Sequence, residues 1–484
     1  MRVAISTGGG DAPGLNAVIR SATLCARRRG WEVVGIRDGF NGLMFPELYQ
    51  EGDGSFVFER HMVRGIGHLG GTVLGSTNRG NPCHFPVEQP DGTIVYEDRT
   101  EHLVSLFREA GIDALITIGG DGSLAIGQRL FEAGLRVIGV PKTIDNDLDK
   151  TSVTFGFDTA VEVATESIDR VFTTATSHSR VFVVEVMGRY AGWIALNAGV
   201  AAGAHAILIP EIPFSLEPVA KMIKGREARG ANFAIVVVAE GALPKDGQRS
   251  VLGQSFDQAE RLGGVGHAVA QQLTSLTGKE ARTVVLGHLL RGGTPSALDR
   301  LLGTRFGAAA VRAIEEGFDG VMVALNEPRV DYVPLKEAIG SMRVVPLDCD
   351  TVMTARDIGI SFGDGSPAER VFRGRMWASQ TLLWHSAGRK HSTSGRLAPN
   401  GDRCCCGRWS YVQLNGVDPS AAGSVRLAER RRVGHRLVTH RPDRVGDPAA
   451  KDAAVRECRR HVAVEVRPSV PTVRPVRRAA GVPG

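Results

Sequence analysis

DALITIGGDGSLAIGQRLFEAGLRVIGVPKTIDNDLD, residues 113–149, holds two strand-to-loop transitions about twenty residues apart, and the rest of the chain is read outward from it. Ala114 to Ile118 is a short apolar run rich in Leu and Ile, the pattern of a strand buried on both faces of a parallel sheet. It breaks at Gly119-Gly120-Asp121-Gly122-Ser123, and a helical pattern is expected from Leu124. Glycines let backbone approach an anion closely, and the free N–H groups of a new helix point at it. Asp121 sits where a carboxylate can hold a divalent ion against phosphate oxygens. The second strand, Arg136 to Val140, opens into Pro141-Lys142-Thr143-Ile144-Asp145-Asn146-Asp147. That loop offers two carboxylates, a hydroxyl and an ammonium at the carboxyl end of a strand, where ligands sit in open α/β sheets.

Alone, GGDGS competes with a purely structural turn, because glycine-rich strand-to-helix turns are common. PKTIDND is sharper: a plain connecting loop has little reason to concentrate Lys, Asp, Asn and Asp behind a buried strand. The pair closely resembles the phosphofructokinase family, in which GGDG binds the donor phosphates and TIDND carries the catalytic base. The resemblance extends over roughly residues 1–363.

Other motifs follow in chain order. Val3 to Ser6 reads as a first strand. It leads into Thr7-Gly8-Gly9-Gly10-Asp11-Ala12-Pro13-Gly14 and a helix from Leu15 to Arg29, another glycine-rich turn suited to phosphate, with Gly10 at its centre. Val33 to Ile36 supplies the next strand. Gly70 to Gly80 is a polar, glycine-rich loop (GGTVLGSTNRG); the resemblance implies that Arg79, with Gly80, meets the donor phosphates. This loop is one residue longer before its arginine than the commonest bacterial form. Phe155 to Thr174 reads as a long helix, Val181 to Val186 as a strand ending in Met187-Gly188-Arg189, and Phe233 to Ala239 as a strand ending in Glu240. Arg282 precedes a strand over Thr283 to Leu286, followed by the loop that carries His288 and Arg291. A lone arginine is more often a surface ion pair and a lone histidine a satisfied structural one. Several together at strand ends suit the oxygens of a sugar phosphate, which a guanidinium fork binds bidentately.

The alternation of strands and helices gives an α/β fold with largely parallel sheets. The resemblance implies two such lobes flanked by helices, with the active site in the cleft between them. It also assigns Thr143, Asp145, Arg180, Met187, Gly188, Arg189, Glu240, Arg282, His288 and Arg291 to a fructose 6-phosphate site. Gly120, Asp121, Gly122 and Ser123 join Gly10, Arg79 and Gly80 at the donor phosphates. Asp145 would take the proton from the 1-hydroxyl of the sugar, and Asp121, helped by Asp147, would hold Mg2+. In family tetramers Arg180 and Arg282 look like the pair supplied across a subunit interface, so a homodimer or homotetramer is expected. The donor rests on two positions. In the pyrophosphate-dependent branch a second aspartate follows GGD and excludes the α-phosphate of ATP; Gly122 leaves that space open. Lys142 is instead the residue of the pyrophosphate branch. The combination looks like the mixed group of ATP-using enzymes that retain the lysine, so ATP is the expected donor and pyrophosphate the alternative.

Composition bounds the remainder. The 484 residues are 43% hydrophobic, enough for a sizeable core, and no apolar run approaches the roughly 18 residues of a membrane span. No signal-peptide pattern is seen and the seven cysteines lack zinc spacing, which points to free thiols in the cytoplasm. The net charge of +6 belongs to the end of the chain: from Asp364 onward there are 23 Lys and Arg against 10 Asp and Glu, and before it 35 against 42. A globally basic surface for nucleic acid is therefore not supported, and no specific nucleic acid is expected as a partner. Residues 364–484 contain no isoleucine, against twenty-two before them, and a Cys404-Cys405-Cys406 run. They read as a disordered Arg-rich tail with the composition of a GC-rich gene read out of frame; a basic arm for nucleic acid or an acidic partner is the competing reading. Lipid and nicotinamide-dinucleotide kinases also use a GGDG turn, but PKTIDND, MGR and HLLRGG have no place in them. A non-catalytic regulator on the same fold is the remaining alternative.

Overall fold

The computed structural model describes residues 1–253 and 261–366, within a compact unit that spans Met1–Trp384. The tail expected to be disordered lies, beyond Ser366, outside the described residues. The framework is a seven-stranded sheet in the order Arg329–Pro334, Val321–Asn326, Val137–Pro141, Ala114–Gly119, Arg2–Thr7, Glu32–Ile36, Ser55–Val57. The five central strands run parallel, and both end strands are antiparallel. Every residue of Ala114–Gly119 and Val137–Pro141 is buried, as their unbroken apolar runs require once helices cover both faces.

The order reverses between Arg2–Thr7 and Ala114–Gly119. From Arg2–Thr7 the chain crosses to Glu32–Ile36 on one side; from Ala114–Gly119 it crosses to Val137–Pro141 on the other. Right-handed crossovers in opposite directions put the two intervening helices on opposite faces. Leu15–Arg28 accordingly packs into a core with Ile5, Ile116, Phe306 and Ala310, and Asp121–Glu132 into one with Leu103, Phe107, Leu115 and Leu335. The glycine-rich turns therefore part from each other at the crevice where open α/β sheets bind ligands. Register completes the alignment: Thr7 pairs with Ile118 and Gly119 with Pro141, so three site loops leave the same sheet edge side by side.

The helix Phe157–His178 carries the chain to a second sheet. Its buried face, Ala160, Ala164, Ile168 and Ala175, packs against Val184, Val186 and Ile235. That sheet is all parallel, in the order Ala281–Val285, Val181–Val186, Ala234–Ala239, Ala206–Leu208. The helix Ala297–Glu315 then returns the chain to the first sheet, which Val321–Asn326 extends beside Val137–Pro141. The first lobe is thus built from both ends of the described chain. No helix among the described residues is long and apolar enough to cross a membrane.

Candidate active site

A cavity of about 1120 Å³ lies at the carboxyl ends of both sheets. The larger sheet contributes Gly8 to Asp11, Arg79, Gly80, Gly120 to Ser123, Lys142, Thr143, Asp145 and Asp147. The smaller contributes Met187, Arg189, Glu240, His288 and Arg291.

Asp145 is at the centre and only 4% exposed. Its N–H donates to Thr143 Oγ1 at 3.0 Å, while its Oδ1 is buried with no hydrogen-bond partner among the described residues. Burial pushes this carboxyl above the ordinary range, against the pull of the Arg291 guanidinium. Asp147 is pushed up to about 6, first by burial and then by Asp145 and Asp121. Lys142 is also only 4% exposed; burial and the nearby Arg291 bring its ammonium down to about 8. Both cations grip the first glycine-rich turn, Lys142 Nζ donating to the Gly10 carbonyl and Arg291 Nη1 to that of Asp11 at 3.1 Å.

At one end of the cavity the helix Asp121–Glu132 presents its N-terminus. It starts three residues before the expected Leu124, because Gly120 adopts the extended backbone of a cap and Asp121 already occupies the first turn. Leu124 is only where its buried face begins. A Cβ at Gly122 would have no atom within 4 Å. The arginine loop closes onto the first turn: Gly9 N–H donates to Thr77 O at 2.9 Å, Ser76 Oγ to Gly9 O at 2.5 Å, and Arg79 N–H to Thr77 Oγ1 at 3.1 Å. This end has backbone N–H groups, an arginine and a carboxylate, which suits a polyphosphate with a bound cation.

At the other end the turn after Val181–Val186 is tightly wound. Gly188 has φ 147°, and a Cβ there would lie 2.6 Å from Ala191 O, so only glycine fits. Arg189 follows in the left-handed region and donates its N–H to Glu240 Oε1 at 3.1 Å. Burial pushes the Glu240 carboxyl up. His288 and Arg291 come from the 3-10 turn Gly287–Arg291. A pocket of this make-up can hold an anion by its arginines and a hydroxyl by its carboxylate.

Three expected residues do not line the cavity of one chain: Gly188, buried in its turn, and Arg180 and Arg282, which are held elsewhere. Arg180 donates to Glu280 Oε2 at 2.5 Å, and Arg282 pairs with the other oxygen of the same carboxylate. Both lie at the amino ends of strands whose carboxyl ends form the site, and a strand of this length spans about 17–20 Å. Several lining residues were missed. Asp11 stands inside a turn already read as phosphate-binding, so its carboxylate was a visible signal. Glu185, which accepts N–H groups of Gly264 (3.1 Å) and Gly266 (2.7 Å), gave none, being one acid in an apolar strand. Among the described residues no three acid, His or Cys side chains form a preformed cation cage. Asp121 and Asp147 instead fit an ion held by one or two carboxylates plus ligand oxygens; Asp147 is raised first by burial, then by Asp145 and Asp121, and such an ion would relieve the carboxylate repulsion.

A phosphofructokinase family model matches residues 2–314. An ATP-dependent 6-phosphofructokinase of Chloroflexus aurantiacus is 52% identical over 363 residues, covering 75% of this chain and 98% of that protein. A pyrophosphate–fructose 6-phosphate 1-phosphotransferase of Streptomyces coelicolor is 47% identical over 367 residues, covering 75% of this chain and all of that one. The solved phosphofructokinase of Saccharomyces cerevisiae aligns with a TM-score of 0.59 at 30% identity, over 70% of this chain and 45% of its own.

Proposed function

The chain belongs to the phosphofructokinase family, and from that premise we propose how its cleft carries out the reaction. It transfers the γ-phosphoryl group of ATP to the 1-hydroxyl of fructose 6-phosphate, the glycolytic step that gives fructose 1,6-bisphosphate. The observation that carries the mechanism is the buried, unpartnered Oδ1 of Asp145 between a helix N-terminus and a cluster of arginines. Asp145 is the general base: it takes the proton of the 1-hydroxyl as that oxygen attacks phosphorus. Burial raises its proton affinity, which strengthens it as a base. Arg189, His288 and Arg291 hold the acceptor, and Glu240 receives a hydrogen bond from a sugar hydroxyl. The N–H groups of Gly120 to Ser123, Arg79 and the turn around Gly10 hold the donor phosphates. Phosphoryl transfer asks for positioning and charge neutralisation more than covalent catalysis, and these groups supply both.

Asp121, with Asp147, would hold Mg2+, which neutralises charge on the transferring phosphate when bound. The open space at Gly122 supports ATP as donor. Lys142, next to the same phosphates, is compatible with pyrophosphate as a lesser donor. We further propose that activity resides in residues 1–363 in the cytoplasm, because 363 residues of this chain match nearly the whole of the Chloroflexus protein. Arg180 and Arg282 complete the phosphate site of a neighbouring subunit.

The test is Asp145→Asn. Turnover should fall roughly 10²–10⁴-fold while fructose 6-phosphate still binds in a calorimetric titration. Near-normal turnover would remove Asp145 from the role of base.

A further inference from the structure

The turn that presents Asp145 is held by more than its own Asp145 N–H to Thr143 Oγ1 hydrogen bond. Asn146 has φ 55°, in the left-handed region that most side chains avoid and Asn tolerates best among them. What fixes that conformation lies eight residues downstream. Thr154 N–H donates to Asn146 Oδ1 at 3.1 Å, and Thr154 Oγ1 donates to Thr143 O at 2.7 Å. Thr143 Oγ1 in turn receives the Asp145 N–H. Thr154 is fully buried and does not line the cavity, and its neighbour Phe155 forms a backbone bridge with Lys142. The excursion Asp147 to Val153 therefore returns to brace the turn from behind, at both Thr143 and Asn146.

We propose that Thr154 is the positioning residue of the catalytic base, its hydroxyl and N–H fixing the Thr143–Asn146 turn so that Asp145 meets the sugar hydroxyl. This rests on the reading of Asp145 as base. A buried threonine with both groups satisfied is also what an ordinary core position contains. The two roles differ in what they predict. A merely structural residue changes the amount of folded enzyme; a positioning residue changes kcat of the folded enzyme, since small misplacements of a reacting group cost about tenfold to a hundredfold in rate.

The experiment compares Thr154→Val, Thr154→Ser and Asn146→Gly with Asp145→Asn, all as folded, gel-filtered enzyme. Valine keeps the shape and deletes the hydroxyl; serine keeps the hydroxyl. Glycine at 146 accepts the left-handed backbone and deletes the acceptor of the Thr154 N–H, so that arm of the brace is lost while the Thr154 Oγ1 to Thr143 O arm stays, and the folded fraction is measured alongside because a buried N–H is left unpaired. We expect kcat to fall about tenfold to a hundredfold in Thr154→Val and Asn146→Gly, with KM for both substrates within about twofold. Thr154→Ser should restore most of kcat. If Thr154→Val does not fold, Asn146→Gly against Thr154→Ser decides. Wild-type kcat in Asn146→Gly or in folded Thr154→Val, with Asp145→Asn inactive, overturns the positioning role alone. An active Asp145→Asn overturns the reading beneath it.

Discussion

Lys142 carries a charge in a place that resists it. Burial and Arg291 bring its ammonium down to about 8, while the Gly10 carbonyl and the surrounding Asp145, Asp11 and Asp121 work in the opposite direction. Its positive form is complete well below that pH and is lost as pH rises through about 8. Attraction for the donor phosphates should go with it. The expected profile of kcat/KM for ATP declines between pH 7 and 9 with a break near 8, a parameter that reports the free enzyme. Lys142→Met should have a lower value with no break. A flat wild-type profile over that range would mean that the lysine charge plays no part in donor binding. Gly122, in contrast, matters for what is missing: its open surroundings leave a carboxylate at that position directed by nothing but the ligand. Gly122→Asp should raise KM for ATP about a hundredfold, since an unpaired like-charge contact costs several kcal/mol. An unchanged KM would mean the α-phosphate does not pass there. Residues like these were legible because the chemistry concentrates in side chains adjacent in sequence. Thr154 was not, because nothing in a string of letters says that the chain doubles back to Asn146.

Elements were legible where burial marks them and less so at their ends. Val181–Val186 was read to the residue, since a strand with helices on both faces is apolar along almost its whole length, here broken only by Glu185. The long helix was expected over Phe155 to Thr174 and spans Phe157–His178; Gly156, in the left-handed region, caps its start, and at its end Ala175 is buried but the exposed Thr176, Ser177 and His178 continue no apolar periodicity. Strand order was not legible, because pairing depends on contacts between distant segments. One such contact gives a prediction. The helices Leu15–Arg28 and Ala297–Glu315 cross at Gly307, where a Cβ would lie 2.4 Å from Val18 O and 3.0 Å from Ala22 N. Glycine costs a helix about 1 kcal/mol against alanine, so on propensity alone Gly307→Ala should stabilise. Backbone has no rotamer to yield, and overpacking costs about 1–3 kcal/mol. Forcing the helices apart also loosens Leu15, Val18, Ile19 and Phe306. A net loss of about 1–2 kcal/mol in thermal or denaturant unfolding is expected. A Tm equal to or above wild type would mean that the crossing relaxes at little cost.

At the scale of the molecule the unsolved piece is the outer edge of the smaller sheet. Ala281–Val285 is its end strand, and Arg282 exposes 60% of its side chain there. Val285 and Leu289, 48% and 66% exposed, continue along the same edge. Glu280 holds both Arg180 and Arg282 through solvent-exposed pairs, which contribute little to stability. Such a carboxylate holds two guanidinium groups side by side through pairs weak enough for a stronger anion to displace. The cavity of the same chain is a strand's length away, so the proposal that they serve the phosphate of a neighbour can be tested directly. Arg180→Ala and Arg282→Ala should each raise KM for fructose 6-phosphate at least tenfold, the scale of losing one charge-assisted contact, with a smaller effect on kcat. The decisive measurement is complementation. In Asp145→Asn the base is lost but the arginines remain; in Arg282→Ala the reverse holds. A mixed oligomer contains sites that draw Asp145 from one chain and Arg282 from the other, and are whole. Co-expressed variants should therefore be more active at low fructose 6-phosphate than the two homo-oligomers together. If the mixture is no better than its parents, or if full activity elutes at the mass of a monomer, the two arginines serve no neighbouring site.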